Sequence, residues 1–415
     1  MDWRNRIGLY GSYFFGVAGI GFTLPYLPLY LGQQGLSDRA IGLISTLAAL
    51  ASLAQFPVGL WSDRIGWRKP FLLVALGVLA VATAALRAAH GAIALGVLVV
   101  LFAENGVCRA VIESLSGAEA TALARPGEVG AALGALRFWK PIGIVAVALA
   151  GSLIAEGHGA GAILIPLTFV QGLGFVAAFL IHEDGHPRPV SPQASAPRSP
   201  GGSWLPSDPA LWAFVAAMVS FHAANAPGGV YLGLFLNRDL HAPERLLAYA
   251  FVVSMAAWML VVWPAGWLAD RWGRRPLLIA GWGIMALRLA LVAVAQTPGQ
   301  VIAIQALDGL ANGLFAVLAA AWVTDRLADP RRSGEAQVIV GSCLVLGSAI
   351  GPAVSGLLVG PLGYRGLFAA LAGVGVLATL WIVGLVPETL AQRDSGIVAP
   401  LATTSDLSTS VGQAL

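Results

Sequence analysis

The sequence predicts an all-α membrane protein, with twelve transmembrane helices in two pseudo-symmetric six-helix bundles. Three observations predict it. Hydrophobic residues make up 57% of the 415 residues and charged residues only 11%, against about 25% charged in soluble domains. The apolar residues fall into stretches long enough to cross a bilayer. A motif that follows the second stretch returns after the eighth. A chain this poor in charge cannot cover a water-facing surface, so most of its surface faces lipid.

About 20 mostly apolar residues carry a helix across the hydrocarbon core. In chain order such stretches lie at 9–31, 39–61, 70–89, 92–121, 129–155, 160–181, 211–236, 246–268, 276–296, 299–324, 335–360 and 365–386. Helices are required because open strands would leave backbone groups unpaired in lipid. Span one is aromatic and proline-bearing, with Tyr13-Phe14-Phe15 and Pro25-Tyr26-Leu27-Pro28. Span four carries Glu104, Asn105, Arg109 and Glu113, and span five Arg137, Lys140 and Pro141. Span seven carries His222 and Asn225, span nine Arg288, and span ten Gln305, Asp308 and Asn312. Cys108 and Cys343 fall inside spans and read as small buried hydrophobes, without metal-ligand spacing.

Arginine and lysine set the orientation. Arg4, Arg6, Arg64, Arg68, Lys69, Arg125, Arg188, Arg198, Arg271, Arg274, Arg275, Arg326, Arg331, Arg332 and Arg393 belong to one set of connections, and only Arg39, Arg238, Arg245 and Arg365 to the other. The first set is expected in the cytoplasm, with both termini, in the inner (plasma) membrane. The organisation expected is a first bundle at 1–182, a Pro/Ser/Gly-rich cytoplasmic linker at 183–209, a second bundle at 210–390 and a disordered cytoplasmic tail at 391–415.

Gly59-Leu-Trp-Ser-Asp63-Arg64-Ile-Gly66-Trp-Arg68-Lys69-Pro70 returns as Gly266-Trp-Leu-Ala-Asp270-Arg271-Trp-Gly273-Arg274-Arg275-Pro276, and the aspartates are 207 residues apart. Pro141 and Pro352 are 211 apart. Two similar offsets point to a parallel duplication. These segments resemble the loop signature of the major facilitator superfamily, and the resemblance covers the whole chain. It implies a secondary transporter that works by alternating access. It also implies conformational gating by Gly59, Asp63, Arg64, Gly66, Arg68, Gly266, Asp270, Arg271, Gly273, Arg274 and Arg275, the aspartates acting as latches. The alternative is that these cations only fix topology. Span eleven, Gly347-x-x-x-Gly351-Pro352-x-x-x-Gly356, is similar to a signature of drug exporters. Span five, Arg137-Phe-Trp-Lys140-Pro141-Ile-Gly143, is similar instead to organic-solute symporters.

Charges at membrane depth cost roughly 3 kcal/mol each on insertion scales, so they face a cavity or a partner. Helical spacing puts Arg109 and Glu113 on one face of span four and Glu104 on nearly the opposite one. Arg137 and Lys140 share a face of span five. Glu113 and Arg137 resemble the substrate-binding acid and arginine of sugar symporters, or form a structural bridge between spans. Asp308 has no basic residue within four positions on its own helix, with Gln305 and Asn312 beside it. It reads as an isolated acid and the expected proton carrier. Arg288 lies on span nine, a peripheral position in the family that the chain resembles, and is expected to be structurally paired or to snorkel. Asn225 and His222 are weaker candidates on a span that lines the family's cavity.

The expected function is proton-coupled transport of a small organic solute, with proton-driven efflux of drugs or metabolites as the alternative. No P-loop, metalloprotease or nucleophile-elbow motif is present, so no enzyme is expected. No cofactor, metal or nucleic acid is expected as a partner, only solute, protons and bilayer, with the chain as a monomer.

Overall fold

The computed structural model describes residues 3–124, 129–183, 208–327 and 333–390. Linker residues 184–207 and the tail at 391–415 lie outside them. The regular elements among the described residues are helices: α1 (Trp3–Ala18), α2 (Ile20–Thr23), α3 (Leu27–Gln33), α4 (Asp38–Ala51), α5 (Gln55–Ile65), α6 (Lys69–Ala88), α7 (Ala92–Phe102), α8 (Val107–Leu123), α9 (Val129–His158), α10 (Leu164–Ala178), α11 (Pro209–Arg238), α12 (Arg245–Trp272), α13 (Arg274–Val294), α14 (Pro298–Arg326) and α15 (Ser333–Leu385).

Among the described residues ten helical stretches are long and apolar enough to cross a membrane, and an eleventh is the first span, bent by 53° between Thr23 and Leu27. Pro25 lies in that bend and has no N–H to continue the helical ladder. The twelfth crossing is hidden in α15. At 53 residues it would run about 80 Å if straight, more than twice the hydrocarbon thickness. It is not straight, because Gly363 takes φ 65, ψ 175. Contacts with α11 show the reversal. Gly347 lies against His222, and Gly356 against Tyr231, both rising along the chain. Beyond the break Tyr364 meets Phe235, and Trp381 reaches back to the Ala213 carbonyl. The two arms of α15 are therefore spans eleven and twelve, and the twelve predicted crossings are all present.

Spans two and four depart from simple helices. Span two is α4 joined to α5 through a 3-10 turn at Ser52–Ala54. Span four is broken at 103–106, between α7 and α8. Span four is therefore not the continuous helix that its apolar length predicts, and the opposite faces expected for Glu104 and Glu113 do not follow across the break.

The first bundle (α1–α10) and the second (α11–α15) meet along α4 with α15 and α9 with α12. These are spans two with eleven and eight with five, so the duplication exchanges one contact for the other. Side-chain charge separates the two ends of the molecule. One, the basic end, carries Arg64, Arg68, Lys69, Arg271, Arg274 and Arg275. At the other, the far end, the bundles touch closely. A Cβ on Gly42 of α4 would lie 2.4 Å from the Pro352 carbonyl of α15. Small residues allow this approach, as they do between membrane helices generally. Toward the basic end α5 packs against α8 of its own bundle. The bundles are thus joined at the far end, whereas at the basic end α5 is held within its own bundle.

Candidate functional site

The loop signatures build the same charge cluster twice. In the first bundle Arg68 donates to Asp63 at 2.5 Å and lies 3.5 Å from Glu119. In the second, Arg274 lies 3.0 Å from Asp270 and 3.1 Å from Asp325. A glutamate from the end of each bundle completes the cluster. Glu183 accepts the backbone N–H groups of Arg68 and Lys69 at 2.9 and 3.0 Å, and Glu388 those of Arg274 and Arg275, both at 2.9 Å. Each caps the free N–H groups at the start of α6 or α13, where the helix dipole also favours a carboxylate. Burial pushes the Glu388 carboxyl up, but N–H donors from Leu390, Arg274, Arg275 and Thr389 outweigh it and hold it below its ordinary value. Gly273, at φ 96, leaves the space: a Cβ there would sit on the Glu388 carboxylate. Glu119, Asp325, Glu183 and Glu388 were not picked out by sequence. Their offsets, 206 and 205 residues, match that of the aspartates and would have revealed them. Of the remaining signature residues, Arg64 and Arg271 are exposed, and Gly66 caps α5 at φ 81.

At mid-membrane the second bundle holds a closed polar network. Arg288, only 3% exposed, reaches Asp308 at 3.0 Å, Asn225 at 2.8 Å and Gln305 at 2.7 Å. Asn312 donates to the Asp308 carboxylate at 3.0 Å and accepts from Asn225 at 3.0 Å. Ser254 of α12 donates to the other Asp308 oxygen. Gly309 makes this possible, because α14 there lies directly on the Ser254 and Trp258 backbone. The structure corrects one expectation here: Asp308 is not an isolated acid, since its cation comes from α13 rather than from its own helix. Of the two roles expected for Arg288, structural pairing or snorkelling, it takes the pairing, at the centre of the network. His222 stands apart, edge-on to Phe315 at 4.5 Å and without a partner for Nε2.

The first bundle is arranged differently. Glu113 pairs with Lys140 at 2.6 Å, and both side chains stay about one-third exposed, at 36% and 31%. Arg137, the expected partner, is exposed on α9. Glu113 and Arg109 share a helix but form no pair. Arg109 is fully buried, over the Phe102 ring at 5.2 Å, with Nε and Nη2 lacking partners. Glu104 and Asn105 occupy the break in span four, both partly buried.

The far end is sealed by polar residues, of which the sequence marks only Arg238 and Arg245, and those for topology alone. Asp38 is the hub. It accepts from Arg238 at 2.8 Å and from Tyr364 at 3.0 Å, and its carbonyl accepts from Tyr231 at 3.1 Å. Gln33 donates to Glu244 at 2.7 Å, and Arg245 pairs with Glu156. Thr46 extends the seal inward by donating to the Ala349 carbonyl at 2.6 Å. No group of His, Cys, Asp and Glu suited to a metal occurs among the described residues.

A model of the MFS_1 like family matches residues 7–370. An uncharacterized MFS-type transporter of Mycobacterium tuberculosis is 25% identical over 383 residues, covering 88% of this chain and 89% of its own. A putative sugar efflux transporter of Deinococcus radiodurans is 26% identical over 381 residues, covering 85% and 91%. The multidrug resistance protein MdtL of Vibrio parahaemolyticus is 29% identical over 156 residues, 37% of this chain and 39% of its own. Among solved structures, the nucleoside transporter NupG superposes with a TM-score of 0.73 at 13% identity, over 93% of this chain and 99% of its own. A bacterial homolog of the human lysosomal transporter Spinster, inward-facing and occupied, gives 0.71 at 14%, over 93% and 97%. At such identities the solved structures speak for the fold alone.

Proposed function

Because the chain belongs to the MFS_1 like family of the major facilitator superfamily, we propose that this membrane transporter moves a small polar organic solute outward in exchange for protons. The family consists of transporters, not enzymes. The observation that carries the reading is a carboxylate paired with a cation at mid-membrane in each bundle: Glu113 with Lys140, and Asp308 with Arg288. Groups so costly to bury are retained where solute or protons pass. The partly exposed Glu113–Lys140 pair supplies an acceptor and a donor for hydroxyl or amide groups of a solute. Asn225, Gln305 and Asn312 support the second wall.

The direction rests on the relatives, one named as a putative sugar efflux transporter over most of its length and one as a multidrug resistance protein over part of it. The excess of Arg and Lys supports a cytoplasmic basic end in the plasma membrane. The present conformation is then open to the cytoplasm. In the opposite one the far-end seal opens, and Asp63 and Asp270 turn from arginines of their own bundle toward the facing bundle. Uptake with protons is the second reading, supported by the acid–base pair between spans four and five.

The test is a proteoliposome with a pH dye in its lumen, given external monosaccharides, disaccharides and amphiphilic drugs in turn. Exchange predicts a lumen that turns alkaline as solute enters. Acidification supports uptake with protons, and solute entry without a pH change contradicts both.

A further inference from the structure

The buried charges of span four do not balance. Arg109 is fully buried, yet its one hydrogen bond is a long contact with the Val17 carbonyl at 3.5 Å, and Nε and Nη2 have none. No carboxylate among the described residues lies within ion-pair distance of it. Gly19 lies against it, since a Cβ there would come 2.5 Å from Nη2. The same Cβ would come 2.7 Å from Nε2 of Gln171, another buried donor without an acceptor. Two buried nitrogens thus converge with nothing to accept from them. A bare buried cation costs several kcal/mol, so such a site calls for an anion.

Two carboxylates act on Arg109, Glu104 first and Glu113 second. Glu113 is engaged by Lys140 at 2.6 Å. Glu104 makes no hydrogen bond or ion pair with any described residue. It stands in the break at 103–106, where Ala103 N–H closes onto the Val99 carbonyl and Gly106 N–H onto the Ala103 carbonyl. A Cβ on Gly106 would approach the Val100 carbonyl to 2.6 Å, so the break is built around glycine. The charged groups facing Glu104 are Lys140 from α9 and Glu113 and Arg109 from α8. Tyr13 of α1 faces the Glu113–Lys140 pair.

We propose that Glu104 is the proton-carrying group, and that Arg109 is the counter-ion its carboxylate engages after the proton leaves, with the break in span four as the hinge. This rests on the proton-coupled reading above. The protonated carboxyl is neutral and stands clear of Arg109, as here. When its O–H gives the proton to water on one side of the membrane, the carboxylate swings onto the guanidinium and satisfies Nε or Nη2. Reprotonation by water on the other side releases it. Each cycle carries one proton across and leaves no bond changed. Asp308, held by Arg288, Asn312 and Ser254, does not take this part.

The test has two arms on the full chain in proteoliposomes. Dicyclohexylcarbodiimide, an apolar reagent for protonated carboxyls in membranes, is applied to the unaltered protein and located by peptide mass mapping. Label on Glu104 that fades as pH rises is expected. In Arg109→Gln the label should persist to higher pH by about one unit or more, because the cation that favours the carboxylate is gone. Label on Asp308 or Glu113 with none on Glu104 overturns the proposal. In the second arm, Glu104→Gln should lower the ratio of proton-driven accumulation to solute exchange by at least about tenfold, and Glu104→Asp should restore part of it. An unchanged ratio in Glu104→Gln also overturns it. If the unaltered protein moves solute without protons, the functional reading itself fails, and that result is separate from either arm.

Discussion

Replacing Asp308 by asparagine removes a charge and almost no volume, so packing stays and electrostatics change. Arg288, 3% exposed against 18% for Asp308, then keeps its charge in a low-dielectric interior with only neutral amide oxygens, those of Asn225, Gln305 and the new side chain, to accept from it. Removing one partner of such a pair costs about 3–5 kcal/mol. Membrane transporters unfold irreversibly in detergent, so the natural readout is the half-life at a fixed raised temperature. A loss of about 3 kcal/mol shortens it by up to about a hundredfold, at 1.4 kcal/mol per tenfold. Adding Arg288→Gln to Asp308→Asn removes the stranded cation and should recover about 2 kcal/mol, the size of coupling expected between contacting residues. Asp308→Asn with an unaltered half-life, or a double variant no better than the single one, refutes the view that this pair braces the second bundle. A proton carrier at Asp308 would leave the half-life intact and abolish accumulation, so one experiment separates the two roles.

Gly42→Val should hold the far end open, since its Cβ would collide with the Tyr231 hydroxyl and the Pro352 carbonyl; transport should fall, and a cysteine at the partly buried Thr46 (Thr46→Cys) should become more reactive to an impermeant thiol reagent when Gly42→Val is added. Asp38→Asn should weaken the same seal by about 1 kcal/mol or less, because the ion pair is partly exposed, and the same reagent should report a shift of a few-fold. Asp63→Asn or Asp270→Asn should slow transport with solute affinity near normal, as expected of groups that bias a conformation without touching solute. The Arg326 guanidinium, with the Ala210 N–H, holds the Asp208 carboxyl below its ordinary value. Its contribution to stability is therefore present above about pH 4 and lost as pH falls through the depressed value, so Asp208→Asn should flatten the acid limb of a melting-temperature profile.

The spans and the duplication were legible because lipid enforces long apolar stretches and the loop signature survives in both copies. The contacts among side chains were less so. A helical wheel drawn through span four assumes continuous rotation, and the break at 103–106 resets it. The Asn105-Gly106 dipeptide, a turn signal, marked that break. Asp308 looked isolated because spacing along one helix is silent about the next, and its cation stands twenty residues earlier on α13. Lys140 rather than Arg137 meets Glu113, a choice of depth that a three-residue spacing leaves open. The Asp38 hub was invisible for a related reason. Its partners Arg238 and Tyr364 lie 200 and 326 residues away, and the pairing exists only once the bundles close.

The proposed transport cycle requires closure to alternate between the two ends of the molecule. Pulsed electron resonance distances test this, with spin labels at Gln34→Cys and Gln296→Cys for the far end and at Ile65→Cys and Trp272→Cys for the basic end. All four native residues are exposed, and the native Cys108 and Cys343 are buried. The account predicts a short far-end distance and a long basic-end distance in one population. It predicts a second population with the order reversed, and an exchange between them driven by pH and solute. Distances at the two ends that stay fixed, or that lengthen and shorten together, would contradict it.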